Sequence, residues 1–278
     1  MGLGFQFVTI LGSCLLQSVI ALAGGSGCLK CHESHYEEKG ACIDCHRGKP
    51  GTDRILIAHH NLISAQYAHF TMEGSPVLQQ GRALVTISGC RRCHVMGAEG
   101  NRIATNLDRI FVAARPQKLF DAIKKPVLFM PNFCFKETHI IELVNAILAG
   151  AARAEPETGE IPLVIHFEDE EQAEESIFGR HCGSCHKVLT IRFGGLGKGD
   201  IGPNLSGLFS EHYPKTYGDN EPWSSKSLKN WLENPRQMSK NAQMPPLKLT
   251  SDEFSSLLEV FEAQTFTING KRRGENQS

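Results

Sequence analysis

Apolar residues recur with a helical period in several separated stretches of this chain, and nowhere alternate for long enough to predict a sheet. Ile140, Ile141, Val144, Ile147 and Leu148 line one face of one helix; Phe254, Leu257, Leu258 and Phe261 line a face of another. Thr250 and Glu253 make a capping box at the start of that last helix. Pro116 suits the first turn of a helix over 116–124, which has to end before Pro126. Two further helices are predicted over 77–87 and 171–181. The expectation is a mostly α fold with long irregular loops.

The helices at 77–87 and 171–181 open two segments that resemble each other. Each segment continues through a loop carrying Asn-Leu, within Ala104-Thr105-Asn106-Leu107 in one and Gly202-Pro203-Asn204-Leu205 in the other. Each then reaches a Met-Pro pair, Met130-Pro131 or Met244-Pro245, and closes with one of the two amphipathic helices. A different pattern opens the chain. The apolar run over 5–23 ends in Ala21-Leu22-Ala23, which reads as a secretory signal with an A-x-A-like cleavage site. Its n-region holds no Lys or Arg, so an uncleaved membrane anchor is the alternative. Leu11-Gly12-Ser13-Cys14 resembles a lipoprotein box, but the apolar run continues past it and Cys14 is read as part of the run. The resulting division is a signal at 1–23, a short module at 24–75, the two similar segments at 76–152 and 170–266 with a linker at 153–169, and a polar tail at 267–278.

The cysteines supply the chemistry. One pentapeptide occurs four times: Cys28-Leu29-Lys30-Cys31-His32, Cys42-Ile43-Asp44-Cys45-His46, Cys90-Arg91-Arg92-Cys93-His94 and Cys182-Gly183-Ser184-Cys185-His186. C-x-x-C-H is the attachment signature of c-type haem. Two thiols at that spacing can each bond a porphyrin vinyl, and the adjacent imidazole is placed to ligate the iron. Zinc ribbons and thioredoxin-like dithiols also use C-x-x-C, but neither needs His after the second Cys every time. Four covalently attached haems are therefore expected, one in each similar segment and two in the short module. Eight of ten cysteines are then committed, and Cys14 lies in the signal, so Cys134 alone remains and no disulfide framework is possible. The net charge of −1 gives no argument for nucleic acid or a charged membrane surface as partner. Aromatics are only 8% of the chain, which porphyrins filling part of the core would offset. The acidic stretch at 168–171 reads as negative charge near a helix N-terminus, with a docking patch for a basic partner as the alternative.

What faces each iron decides its role. A second imidazole or a thioether closes the coordination sphere for electron transfer, whereas an open face permits chemistry on a ligand. Met130 is the expected sixth ligand of the third haem and Met244 that of the fourth, with Met238 the runner-up because it lacks the following Pro. The short module has no Met-Pro, and its Met72 is isolated, but it holds His35, His59, His60 and His69 beyond the motifs. His/His ligation of both its haems is expected, with His59 and His69 favoured. His35 follows His32 too closely to cross that haem but remains a ligand candidate for the second, and His60 would point away from its neighbour. His139, His166, His181 and His212 read as ordinary helix or loop residues. A ligating His usually donates its other ring N–H to a carbonyl; Pro203 is placed to accept in the last segment, and Thr105 takes its position in the middle one.

With these residues in view, the segments at 76–152 and 170–266 resemble class I cytochrome c domains, the latter more closely through Phe178, Trp231, Met244 and the helix from Asp252. The middle segment departs by lacking Gly-Pro and carrying Cys134 soon after its Met. The short module resembles the His/His di-haem modules of multi-haem cytochromes. The whole resembles the c-type cytochromes of selenite/tellurite or metal-reduction operons, which implies respiratory electron transfer across the periplasm. Axial ligands shift haem potentials over about 0.8 V, and Met/His ligation lies above His/His. The expected function is a periplasmic electron carrier, exported and either released or anchored by its N-terminus, passing electrons from low-potential to high-potential haems between redox protein partners. The competing classes are a multi-haem reductase or peroxidase with one open haem face, and a haem subunit of a membrane oxidoreductase or filament.

Overall fold

The computed structural model describes residues 27–111, 115–154, 170–218 and 220–262. The export segment with Cys14, nearly all of the linker including His166, and the polar tail lie outside the described residues.

The described chain is mostly helical, as the apolar periodicity implies. The short module holds only α1 (Cys42–His46) and α2 (Ile55–Ala58), with 3-10 turns at Gly27–Lys30, Glu37–Lys39 and Ala65–Thr71. The middle segment contributes α3 (Pro76–Ile87), α4 (Pro116–Lys124) and the long α5 (Glu137–Arg153). The last segment holds α6 (Glu170–Glu175), α7 (Ile177–His181), a hairpin of β1 (Val188–Leu189) and β2 (Gly195–Leu196), α8 (Ser225–Glu233), α9 (Pro235–Met238) and α10 (Ser251–Glu262). The helix expected over 171–181 is thus two. Ser176 is in extended backbone between them, and its Oγ accepts from the Gly179 amide at 2.9 Å, capping α7. The β1–β2 pairing, Val188 opposite Leu196, is too short to leave an alternating signature. The capping box at α10 is formed: the Glu253 amide donates to Thr250 Oγ1 at 3.3 Å, and the Thr250 amide donates to Glu253 Oε2 at 2.9 Å.

Two apolar cores organise these elements. In the first, α3 crosses α5, burying Leu78 and Val85 against Ile140, Val144 and Leu148. Gly81 permits that crossing, since a Cβ there would sit 2.0 Å from the Glu142 carbonyl oxygen. Ile63, Tyr67 and Phe70 from the end of the short module fill the same core, and Asn145 of α5 donates to the Gln66 carbonyl at 2.8 Å. The core therefore runs through the expected boundary at 75. In the second core Phe178 of α7 meets Phe261 of α10 edge-on at 6.2 Å, beside Leu228, Leu232 and Leu257. Each such side chain contributes on the order of 1.5–3 kcal/mol by leaving water. Residues 27–62 contrast with both cores, for not one of them is buried. No described helix is long and apolar enough to cross a membrane.

Candidate haem sites

All four C-x-x-C-H pentapeptides close a single helical turn. The His amide donates to the carbonyl of the first Cys at 3.0 Å for His32 and His94 and at 2.8 Å for His186, and the second motif is itself α1. Residues three apart on a helical turn share a face, so each turn presents two thiols side by side with the imidazole next to them.

Three of the four motif histidines are oriented in the same way. Nδ1 of His46 donates to the Ile63 carbonyl at 2.9 Å, that of His94 to Thr105 at 2.8 Å and that of His186 to Pro203 at 2.8 Å. A carbonyl can only accept, so the proton sits on Nδ1 and Nε2 is left as a lone-pair donor for a metal. Burial pulls His94 below its ordinary pKa, against the opposing pull of the Thr105 carbonyl, and this keeps the ring neutral. Ile63 also donates its own amide to the His46 carbonyl at 2.7 Å, so its backbone clamps that residue twice. No sequence motif marks Ile63, and a backbone acceptor leaves no side-chain signal. Gly202 lies flat against His186, where a Cβ would come within 2.2 Å of ring atom Cε1.

The two similar segments share three bonds of this loop. Ala104 and Gly202 donate to the second motif Cys, at 2.9 and 2.8 Å. Leu107 and Leu205 donate to the residue after the motif His, at 2.9 and 2.8 Å. The Asn106 and Asn204 side chains each accept from the amide two residues on, at 3.0 Å.

On the opposite side, the short module brings imidazoles together in pairs. The rings of His32 and His59 have centroids 6.0 Å apart, and those of His46 and His35 lie 5.7 Å apart with planes inclined by 26°. Two imidazoles bonded through nitrogen to one iron, each bond being about 2 Å, place their ring centres about 6 Å apart. His69 is in neither pair. Tyr67 and Phe70 anchor its turn in the first core, and its Nδ1 lies 3.2 Å from Ser75 Oγ. Of the two favoured distal ligands, His59 lies beside a motif imidazole, that of His32, while the ring beside His46 is that of His35. His60 lines a cavity of about 600 Å³ with His59, Arg47 and Arg115. Met130 sits half-buried in the loop between α4 and α5. Met244 packs against the second core, and Trp231 Nε1 donates to its sulfur at 3.2 Å. Met238 ends α9, and Met72 donates its amide to the His69 carbonyl. His139 lies against the edge of Phe135 and His181 is 3.8 Å from Glu253.

The surface fits an apolar group at these turns. Eleven large apolar side chains are exposed among the described residues, and seven of them fall between 29 and 62. Leu56 is 90% exposed between Ile55 and Ile57, on the helix leading to His59. The other four adjoin the remaining sites: Ile87 precedes Cys90, Val127 and Leu128 precede Met130, and Ile201 precedes Gly202-Pro203. These exposed apolar side chains are compatible with an apolar group held at each motif. Among the described residues no three or more His, Cys, Asp or Glu side chains converge as a zinc site requires. Burial pushes the Cys93 and Cys182 thiols up to about 11, opposite to the depressed values that serve C-x-x-C redox catalysis.

Compared with known proteins, the chain matches no family model, no curated protein and no solved structure.

Proposed function

We propose that this chain is an exported tetrahaem c-type cytochrome, an electron carrier with two His/His and two His/Met centres. The observation that carries the reading is the four Cys-x-x-Cys-His turns, two of which have a second imidazole whose ring centre lies 6.0 or 5.7 Å from that of the motif His. Cys28 and Cys31, Cys42 and Cys45, Cys90 and Cys93, and Cys182 and Cys185 would hold the four groups by thioethers. His32 with His59 and His46 with His35 would ligate the first two irons; His94 with Met130 and His186 with Met244 would ligate the others. Bound haem supplies reversible one-electron chemistry whose potential follows the axial ligands. The chain's part is to fix ligand identity and to orient three of the four proximal rings, those of His46, His94 and His186, through the Ile63, Thr105 and Pro203 carbonyls. Thioether ligation raises the potential relative to a second imidazole, so electrons entering at the short module would run toward the two similar segments. Redox proteins at either end are the partners this implies, in the periplasm and in a respiratory chain.

One observation favours a second reading, a multi-haem reductase: the cavity beside His59 is lined by Arg47, His60 and Arg115 and suits a small anion. That reading requires the iron above His32 to keep an open face. Whole-protein mass and the resting ferric spectrum separate the two. Four haems, all low-spin, are expected; a high-spin centre in the resting protein would favour the reductase, and fewer than four attached haems would contradict both.

A further inference from the structure

The last two motifs are joined through one residue. The Pro203 carbonyl accepts a hydrogen bond from His186 Nδ1, and the next residue, Asn204, reaches into the middle segment in two directions. Its side-chain Nδ2 donates to the Phe129 carbonyl at 2.8 Å, one peptide unit before Met130. Its own carbonyl accepts from Arg92, inside the third motif, at 3.0 Å, and from the Tyr213 hydroxyl at 3.2 Å.

The surroundings hold this junction rigid. Arg92 is only 7% exposed, and its guanidinium lies 5.0 Å from the centre of the Tyr213 ring. Its polar contacts among the described residues are the Asn204 carbonyl and Tyr213, with no carboxylate. The hydrogen bonds of Arg92 and Phe129 to Asn204 and the stacking of Arg92 on Tyr213 seat the two segments against each other. Gly207 abuts the Arg92 backbone, where a Cβ would sit 2.5 Å from its carbonyl oxygen. Gly195 abuts the Phe129 ring, where a Cβ would come within 2.0 Å. Asn106, at the matching place in the middle segment, makes the same local turn, and the bridge is what distinguishes Asn204 from it.

We propose that Asn204 is a positioning residue for electron exchange between the third and fourth centres. It links the proximal ligand of one, His186, to the expected distal ligand of the other, Met130, by covalent bonds and two hydrogen bonds of 2.8 Å. The step moves one electron: the centre that gives it goes from ferrous to ferric, the centre that takes it goes from ferric to ferrous, and no atom or proton changes place. This rests on the tetrahaem reading.

Asn204→Asp separates the bridge from the turn. An Asp keeps the oxygen that accepts from the Ser206 amide but loses the N–H aimed at Phe129. In the four-haem holoprotein, Asn204→Asp and Asn204→Ala are expected to slow exchange between the two Met-ligated centres by about tenfold, the scale set by losing one half-buried hydrogen bond. The charge-transfer band of the Met130-ligated centre should weaken and that of the Met244-ligated centre should remain. Exchange as fast as in the wild type, in an Asn204→Asp protein retaining four haems and both bands, would overturn the inference. A wild-type protein without four haems or without Met-ligation bands would instead defeat the tetrahaem reading on which it rests.

Discussion

At the scale of single residues, the chemistry rests on which imidazole faces which. The motif histidines are legible from the sequence because they are fixed covalently beside their cysteines. Their partners are not, because what brings them across is the path of the chain. His35 follows His32 by three residues yet lies over His46. Between the two motifs Tyr36 is in left-handed backbone, with φ of 50°, and Gly40 has φ of 106°, so the chain turns back and carries His35 to the second site. Gly40 permits this readily, whereas at Tyr36 no residue type announces it. His69 lies on the turn Ala65–Thr71, which packs on α1 with Thr71 Oγ1 3.1 Å from Cys45 Sγ, and its own Nδ1 is 3.2 Å from Ser75 Oγ. Replacing His35 or His59 with Ala is expected to turn one His/His centre high-spin, read by electron paramagnetic resonance of the ferric protein. Replacing His69 should leave all four centres low-spin; a high-spin centre in His69→Ala, with none in His35→Ala, would reverse the assignment.

At the scale of elements, α4, α5, α10 and its cap were readable because each rests on local periodicity, a proline or a capping pair. The split of α6 from α7 depends on one serine's hydrogen bond, and the β1–β2 hairpin on pairing across a turn, neither of which leaves a periodic trace. The joint between α3 and the end of α5 was equally silent. Glu73, ahead of α3, pairs with both Arg82 of α3 and Arg153 of α5, with one Arg82 nitrogen at 3.0 Å. The two guanidinium groups, hydrogen-bonding to it, hold the Glu73 carboxyl at about 2, below its ordinary 4.5. A carboxylate whose folded value is depressed stabilises the fold above the unfolded value and stops doing so as pH falls through the folded one. The contribution of Glu73 is therefore complete above about 4.5 and gone near about 2. The three side chains are each 41–58% exposed, so the effect is small and screened by salt. Glu73→Gln is expected to melt slightly lower than the wild type at neutral pH and low salt, with the gap closing between these two values. A gap still present near the lower value would show that the charge of Glu73 is not its cause.

At the scale of the molecule, two packed cores carry a third part that has none of its own. Residues 27–62 include no fully buried residue and expose seven large apolar side chains around two C-x-x-C-H motifs, and units this small are usually held by disulfides, metals or oligomer contacts in addition to their own packing. The central claim is that the four motifs hold two kinds of centre, a low-potential His/His pair in this coreless module and a high-potential His/Met pair on the cores. Potentiometric titration of the purified holoprotein, followed by its optical spectra, tests it most directly. Two groups of one-electron steps are expected, the lower without Met-ligation bands and the upper bringing in both. Four centres titrating together, or no Met-ligation band in the oxidised protein, would contradict it.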